Sequence, residues 1–183
     1  MRASMRAAAF NYFNAKVDAG TIPYIGTVFP SRPLIITEDD YEVQLANGLL
    51  SYVTSPNGSN GVIIINMPET SRKRETITGY GGFVDDKATH PMELELFMGN
   101  AAGDVISLQA DHDKTSDAIV IAIRADPTLG TAGTPDAIFG AGVFETPITV
   151  HQGPAFQLSD GPTVFIPAIV RFDAVEWISG LGV

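Results

Sequence analysis

Few side chains in this sequence could do chemistry. The three histidines are His90, His112 and His151, and there is no cysteine. Lacking Cys, the chain has no thiolate nucleophile, disulfide or Cys-type zinc site. No two histidines stand four apart and no His-Glu-x-x-His occurs, so the usual helical metal pair is missing. The nearest grouping of metal-ligand types is Asp111-His112-Asp113. The same trio also suits a solvated helix start with capping carboxylates, and that reading is preferred. Glu69, Asp85, Asp86, Glu93 and Glu95 could supply an acid/base pair, but their spacing singles out none. There is no Gly-x-Ser-x-Gly elbow. Gly79-Tyr80-Gly81-Gly82 lacks the Lys-Ser/Thr of a phosphate loop and the spacing of a dinucleotide cradle. It reads as a hairpin turn using positive φ. The sequence therefore predicts no catalytic residue, no metal ligand and no cofactor, and the chain is not expected to be an enzyme.

Charge and hydropathy narrow the remaining classes. The chain has 183 residues, 21 acidic against 11 basic, for a formal charge of -10. A protein that grips a duplex needs a basic face, so this balance speaks against nucleic-acid binding. The one basic cluster is Arg72-Lys73-Arg74, better suited to solvent or a protein partner. The longest apolar runs, Val62 to Ile65 and Ala118 to Ile123, are far too short to span a bilayer. Arg2 and Arg6 precede no apolar stretch of signal-peptide type. With 45% hydrophobic residues, the sequence reads as one soluble, intracellular globular domain over residues 1–183, with flexible loops near 54–61, 85–91 and 129–136.

The elements follow from periodicity. Ala3 to Asp18 reads as a helix with Met5, Ala9, Tyr12, Phe13 and Lys16 on one face, Gly20 as its stop and Pro23 beyond. The aromatics Phe10, Tyr12 and Phe13 predict that it is docked. Ile25 to Phe29 reads as a short edge strand among prolines. Thr37 could cap a helix over Glu38 to Ala46. Leu49 to Thr54, Val62 to Met67, Glu75 to Tyr80 and Glu93 to Met98 read as strands, the second buried on both faces. Ala118 to Ile123 fits a buried strand or a buried helix. Capping residues at Asp113, Thr115 and Ser116 and the Asp126-Pro127 stop favour a helix. Leu129 to Asp136 is a loop. Ile138 to Phe144, Ile148 to His151 and Thr163 to Trp177 read as strands. In the last, Val164, Ile166, Ala168, Val170, Phe172 and Ala174 make a period-2 face, and Pro167 predicts an edge or a bulge. The class is α+β: a central, mostly antiparallel sheet flanked by an N-terminal helix and one or two further helices.

Two segments carry a resemblance. Ile22-Pro23-Tyr24-Ile25-Gly26-Thr27-Val28-Phe29-Pro30 is one. Arg124-Ala125-Asp126-Pro127-Thr128-Leu129-Gly130 is the other, followed by Ile138-Phe139-Gly140-Ala141-Gly142 and a final Val170 to Ile178 strand. With the element order, this pattern resembles the tail terminator proteins of long-tailed, non-contractile bacteriophages, over most of the chain. The resemblance implies a structural virion protein that forms a homo-hexameric ring on the head-proximal end of the tail tube. Such a ring stops tube polymerisation and docks the head-completion (connector) proteins. Genomic DNA would pass through its lumen without specific binding, and no membrane is involved. The location implied is the head-tail neck of the virion, after assembly in the host cytoplasm. The family has no active site, so the residues it points to are contacts: Tyr24, Phe29 and Arg32 at a subunit junction, and Arg72, Lys73 and Arg74 toward the tube or a neighbour. Core packing is the alternative for the first group and solvation for the second. Other head-tail connector or head-closure proteins share this texture. A small hydrolase or ligand-binding domain built around Asp111 to Asp113 is the rival of a different class.

Overall fold

The structure is a computed structural model, and it describes residues 2–32, 52, 58–68, 71–75, 85–131, 147–157 and 161–179. Helix α1 spans Arg2–Asp18. Met5, Ala9, Tyr12 and Phe13 are its buried residues, at the i, i+4, i+7, i+8 spacing of one helical face. Its end is built by Gly20 at φ 68. The Gly20 N–H donates to the Val17 carbonyl at 2.9 Å and the Thr21 N–H to Lys16 at 2.9 Å. These are the two reverse bonds of a Schellman motif, which only a residue tolerant of positive φ closes cheaply.

Among the described residues the sheet has seven strands: β1 (Ile25–Phe29), β2 (Ser59–Asn66), β3 (Ser71–Glu75), β4 (Asp85–Asn100), β5 (Thr149–Gln152), the two-residue β6 (Phe156–Gln157) and β7 (Val164–Ser179). The order is β1-β2-β4-β7-β5, with β3 alongside β4 and β6 alongside β7. Only β1 and β2 pair in parallel; the other ladders are antiparallel. The expected α+β class is therefore what the chain adopts, with β1, as expected, at the edge of the sheet among the described residues. β2 lies between β1 and β4, and Val62, Ile63, Ile64 and Ile65 are all fully buried, as its unbroken apolar run predicts.

The second described helix, α2, spans Val105–Ala125. It confirms Ala118 to Ile123 as helical. Its start lies earlier than the sequence suggests: Asp104 is the N-cap, its carboxylate accepting from the Ser107 N–H at 3.0 Å. Asp113, Thr115 and Ser116 are interior, not caps. Leu108, His112, Thr115, Ser116, Ile119, Ala122 and Ile123 form its buried face. Both helices join one cluster with Ile63 and Ile65 of β2, Met92, Leu94, Leu96 and Met98 of β4, and Val164 to Ala174 at alternate positions of β7. They therefore share one side of the sheet. The Tyr12 hydroxyl donates to the Ala122 carbonyl at 2.7 Å and ties the helices together.

Several expectations are corrected. Residues 85–91 are not a loop; they open β4, which is paired with β7 from its first residue. Residues 59–61 of the expected 54–61 loop already belong to β2. Glu75, the described residue of the strand expected at Glu75 to Tyr80, ends β3, which starts at Ser71, so the run of Arg and Lys is β structure; residues 76–80 lie outside the described residues. Tyr52, the described residue of the expected Leu49 to Thr54 strand, is helical. Pro167 is neither at a sheet edge nor in a bulge of β7, which has neighbours on both sides. Its carbonyl accepts from the Gly153 N–H at 2.8 Å. A strand residue's N and carbonyl face the same side, so its missing donor meets the gap between β5 and β6, where no ladder bond is lost. The expected elements at Glu38 to Ala46 and Ile138 to Phe144, and the loop beyond Thr131, lie outside the described residues.

Candidate interaction surfaces

The segment from Tyr24 to Arg32 is split by β1 into two environments. Tyr24 precedes the strand at φ 58, a conformation uncommon for a residue with a Cβ. It is 38% exposed, and the Lys114 ammonium of α2 lies 5.9 Å from its ring centroid. Tyr24 is thus a surface residue. Phe29, at the other end of β1, pairs in register with Ile64, on the sheet side away from the helices. Its ring meets Tyr52 edge-on at 5.2 Å. Arg32 follows on the same side, forking onto Glu95 with Nε–Oε1 3.1 Å, Nε–Oε2 3.3 Å and Nη2–Oε1 2.5 Å. The structure brings Phe29 and Arg32 to one face and leaves Tyr24 apart from them.

Arg32 and Glu95 belong to a polar row that sequence reading did not assemble. Glu95 is nearly buried, at 6% exposure, and a carboxylate in that position needs charge-assisted partners. Asn66 donates from Nδ2 toward Glu95 at 3.4 Å and Glu93 at 3.5 Å. Arg171 Nε donates to Glu93 at 2.7 Å. The register explains the grouping: Asn66 faces Glu93 across β2–β4, and Glu93 faces Arg171 across β4–β7. Strand alternation puts these residues on one face, but only the pairing register shows that they are neighbours. One row along on that face, the rings of Phe97, Phe165 and Phe156 stack, with Phe97–Phe165 centroids 5.3 Å apart and Phe156–Phe165 5.6 Å apart.

Arg72, Lys73 and Arg74 lie on β3, an outer strand paired with the first residues of β4. The pairs are Arg72 with Ala88, Lys73 with Lys87, Arg74 with Asp86 and Glu75 with Asp85. β4 continues this row into β7 at Glu176, Trp177, Ile178 and Ser179. The result is a three-stranded extension, β3–β4–β7.

The Asp111-His112-Asp113 trio sits inside α2, where successive residues point about 100° apart. Asp111 pairs with Lys114 at 3.7 Å, His112 is 1% exposed on the core side, and Asp113 is solvent-facing. The three do not converge on one point. Among the described residues no three His, Cys, Asp or Glu side chains gather as metal ligands. Burial holds the His112 imidazole below its ordinary value of 6.5, opposed in part by Asp113. Among the described residues neither ring nitrogen has a hydrogen-bond partner, nor does the Ser116 hydroxyl one turn on. The Arg124 to Gly130 segment is a helix terminator. The Asp126 carboxylate accepts from Thr128 Oγ1 at 2.6 Å, Thr128 N–H at 3.0 Å and Gly130 N–H at 2.9 Å. The Thr128 hydroxyl bond is the main influence holding this carboxyl below its ordinary 3.8. Leu129, at φ 47, is buried against the core.

Compared with known proteins, the chain matches no protein-family model and no curated protein sequence. Among the described residues no helix is long and apolar enough to cross a membrane.

Proposed function

We propose that the chain is a structural virion protein, a tail terminator that assembles as a ring on the head-proximal end of a phage tail tube. The observation that carries this reading is the β3–β4–β7 extension. A sixteen-residue ladder between β4 and β7 takes β3 alongside, a shape suited to contacts between subunits. Its basic strand, together with Arg32 and Phe29 near the β1 edge and the exposed Tyr24, offers separate surfaces on one subunit. A closed ring needs such separation, because a head-to-tail interface uses two different patches. The partners in this reading are further copies of the chain, the tail tube protein and the head-completion protein. The charge of -10 suits a lumen through which DNA slides, since like charge repels phosphates. Location in the head-tail neck follows from the same reading.

The test is electron microscopy of virus particles lacking this gene. Overlong tails unjoined to filled heads are the expected result. Normal-length tails detached from heads would move the protein to the head side of the neck. Intact, infectious particles would overturn the proposal. In vitro, purified protein added to growing tail tubes should fix their length; unchanged lengths would count against it.

A further inference from the structure

The outward face of α2 carries an ordered pattern. Ile106, Ala110, Asp113, Asp117, Ile121 and Arg124 follow one another at steps of three or four residues, so they form one stripe along the helix. All six are exposed, and they lie opposite the buried face that holds Leu108, Ile119 and Ile123. Ile106 is 85% exposed and Ile121 63%, where an amphipathic helix ordinarily carries polar residues. A single exposed apolar side chain needs no explanation, but the placement of these two does. They stand about 22 Å apart along the helix. The midpoint between them falls between Asp113 and Lys114, two exposed residues of opposite charge.

Turned half a revolution about an axis through that midpoint, the stripe is complementary to itself. We propose that this face is a self-recognition surface, on which a second copy of the chain lays its own α2 antiparallel about a two-fold axis. Ile106 of each copy then meets Ile121 of the other, and Asp113 of each meets Lys114 of the other. Arg124 comes beside the exposed Asp104 of the facing helix. Within its own subunit Lys114 makes a loose pair with Asp111 at 3.7 Å and lies 5.9 Å from the centroid of the Tyr24 ring. These exposed contacts are of small worth, so turning the ammonium to the other copy costs little. A slip of three residues would set Asp113 against Asp117, so charge fixes the register as well as the partner. The symmetry favours a second copy over a different protein, which would require no such match about a midpoint. The contact is isologous, unlike the head-to-tail contact of a ring, so it does not depend on the tail-terminator reading.

Charge variants and cysteines test it. D113K sets positive on positive across the axis, and K114D sets negative on negative. Circular dichroism and a thermal midpoint close to the parent's establish that they fold. In sedimentation velocity at low salt, each is expected at a lower mass than the parent. Their equimolar mixture and the double variant D113K/K114D both restore opposite charges, and both are expected to recover the parental mass. Recovery should fade as salt is raised. The chain has no cysteine, so I106C and I121C place single thiols at the two ends of the stripe. Mixed under mild oxidation, they should link I106C to I121C far faster than either links to itself. A parent that is monomeric at all concentrations would overturn the proposal and leave the stripe to solvent or to a different protein. So would charge variants that keep the parental mass, or thiols that link without preference.

Discussion

The hydroxyl of Tyr12 in the first helix reaches the carbonyl of Ala122, 110 residues later, at 2.7 Å. That carbonyl also accepts from the Asp126 N–H at 3.2 Å, so it keeps a partner if the tyrosine is changed. Burial, followed by the Asp126 charge, pushes the phenol above its ordinary value, so it stays a donor at neutral pH. Tyr12→Phe should therefore lower stability by about 1 kcal/mol, the net worth of one neutral hydrogen bond. Urea unfolding checks this; a midpoint identical to the parent's would mean that the bond contributes nothing.

Asp126 stabilises the fold through its ionised form. Its carboxyl is held below the ordinary 3.8, so the stabilisation is present above that value and is lost as pH falls through the lower, folded one. Asp126→Ala should cost about 1 kcal/mol at pH 7, in line with loss of a capping carboxylate. It should also remove part of the acid sensitivity that sets in as pH falls below about 4. If parent and variant lose stability in parallel over that range, the cap is not the cause.

His112 gives the opposite kind of group. Its folded value lies below 6.5 while the unfolded chain keeps the ordinary one. The unfolded state then binds the extra proton first, and stability falls as pH drops below 6.5 until the folded value is reached. His112→Leu removes that proton and replaces unpaired polar nitrogens with apolar volume, which is neutral or stabilising at pH 7. Thermal midpoints of the variant should fall less between pH 7 and pH 5 than those of the parent.

Arg32 compensates a nearly buried carboxylate. Arg32→Ala should cost about 1–3 kcal/mol, because Glu95 is left without its forked partner in a desolvated position. Adding Glu95→Gln should return part of the loss. A double variant that loses the sum of what Arg32→Ala and Glu95→Gln lose singly would show that the pair is not coupled.

Much of the fold was legible because burial writes itself in period. The Met5–Phe13 stripe, the alternating Val164 to Ala174 face and the apolar run at Val62 each bury a different geometry, and each was read correctly. Residues 85–91 were missed as strand because Asp85, Asp86 and Lys87 carry no apolar alternation; pairing with β3 and β7 is what makes them extended. Likewise Asp104 caps a helix whose first turn, Val105-Ile106, has no acidic residue to mark it. The surfaces were less legible for a related reason. Arg32 was singled out, but its partner Glu95 lies 63 residues on, and no local spacing encodes a cross-strand register.

The strand that closes the sheet beside β4 is the latest of the described strands in sequence. β7 lies between β4 on one side and β5 and β6 on the other, and closes its ladder from Asn100–Val164 out to Asp85–Ser179. Until it emerges during synthesis, Met92, Leu94, Leu96 and Met98 and the apolar face of α2 lack much of their cover. The local pairings of β4 with β2 and β3 can form earlier, but the most extensive pairing is the most distant in sequence, which makes for slow closure. The nascent chain therefore holds an open sheet edge at β4 until β7 has been made.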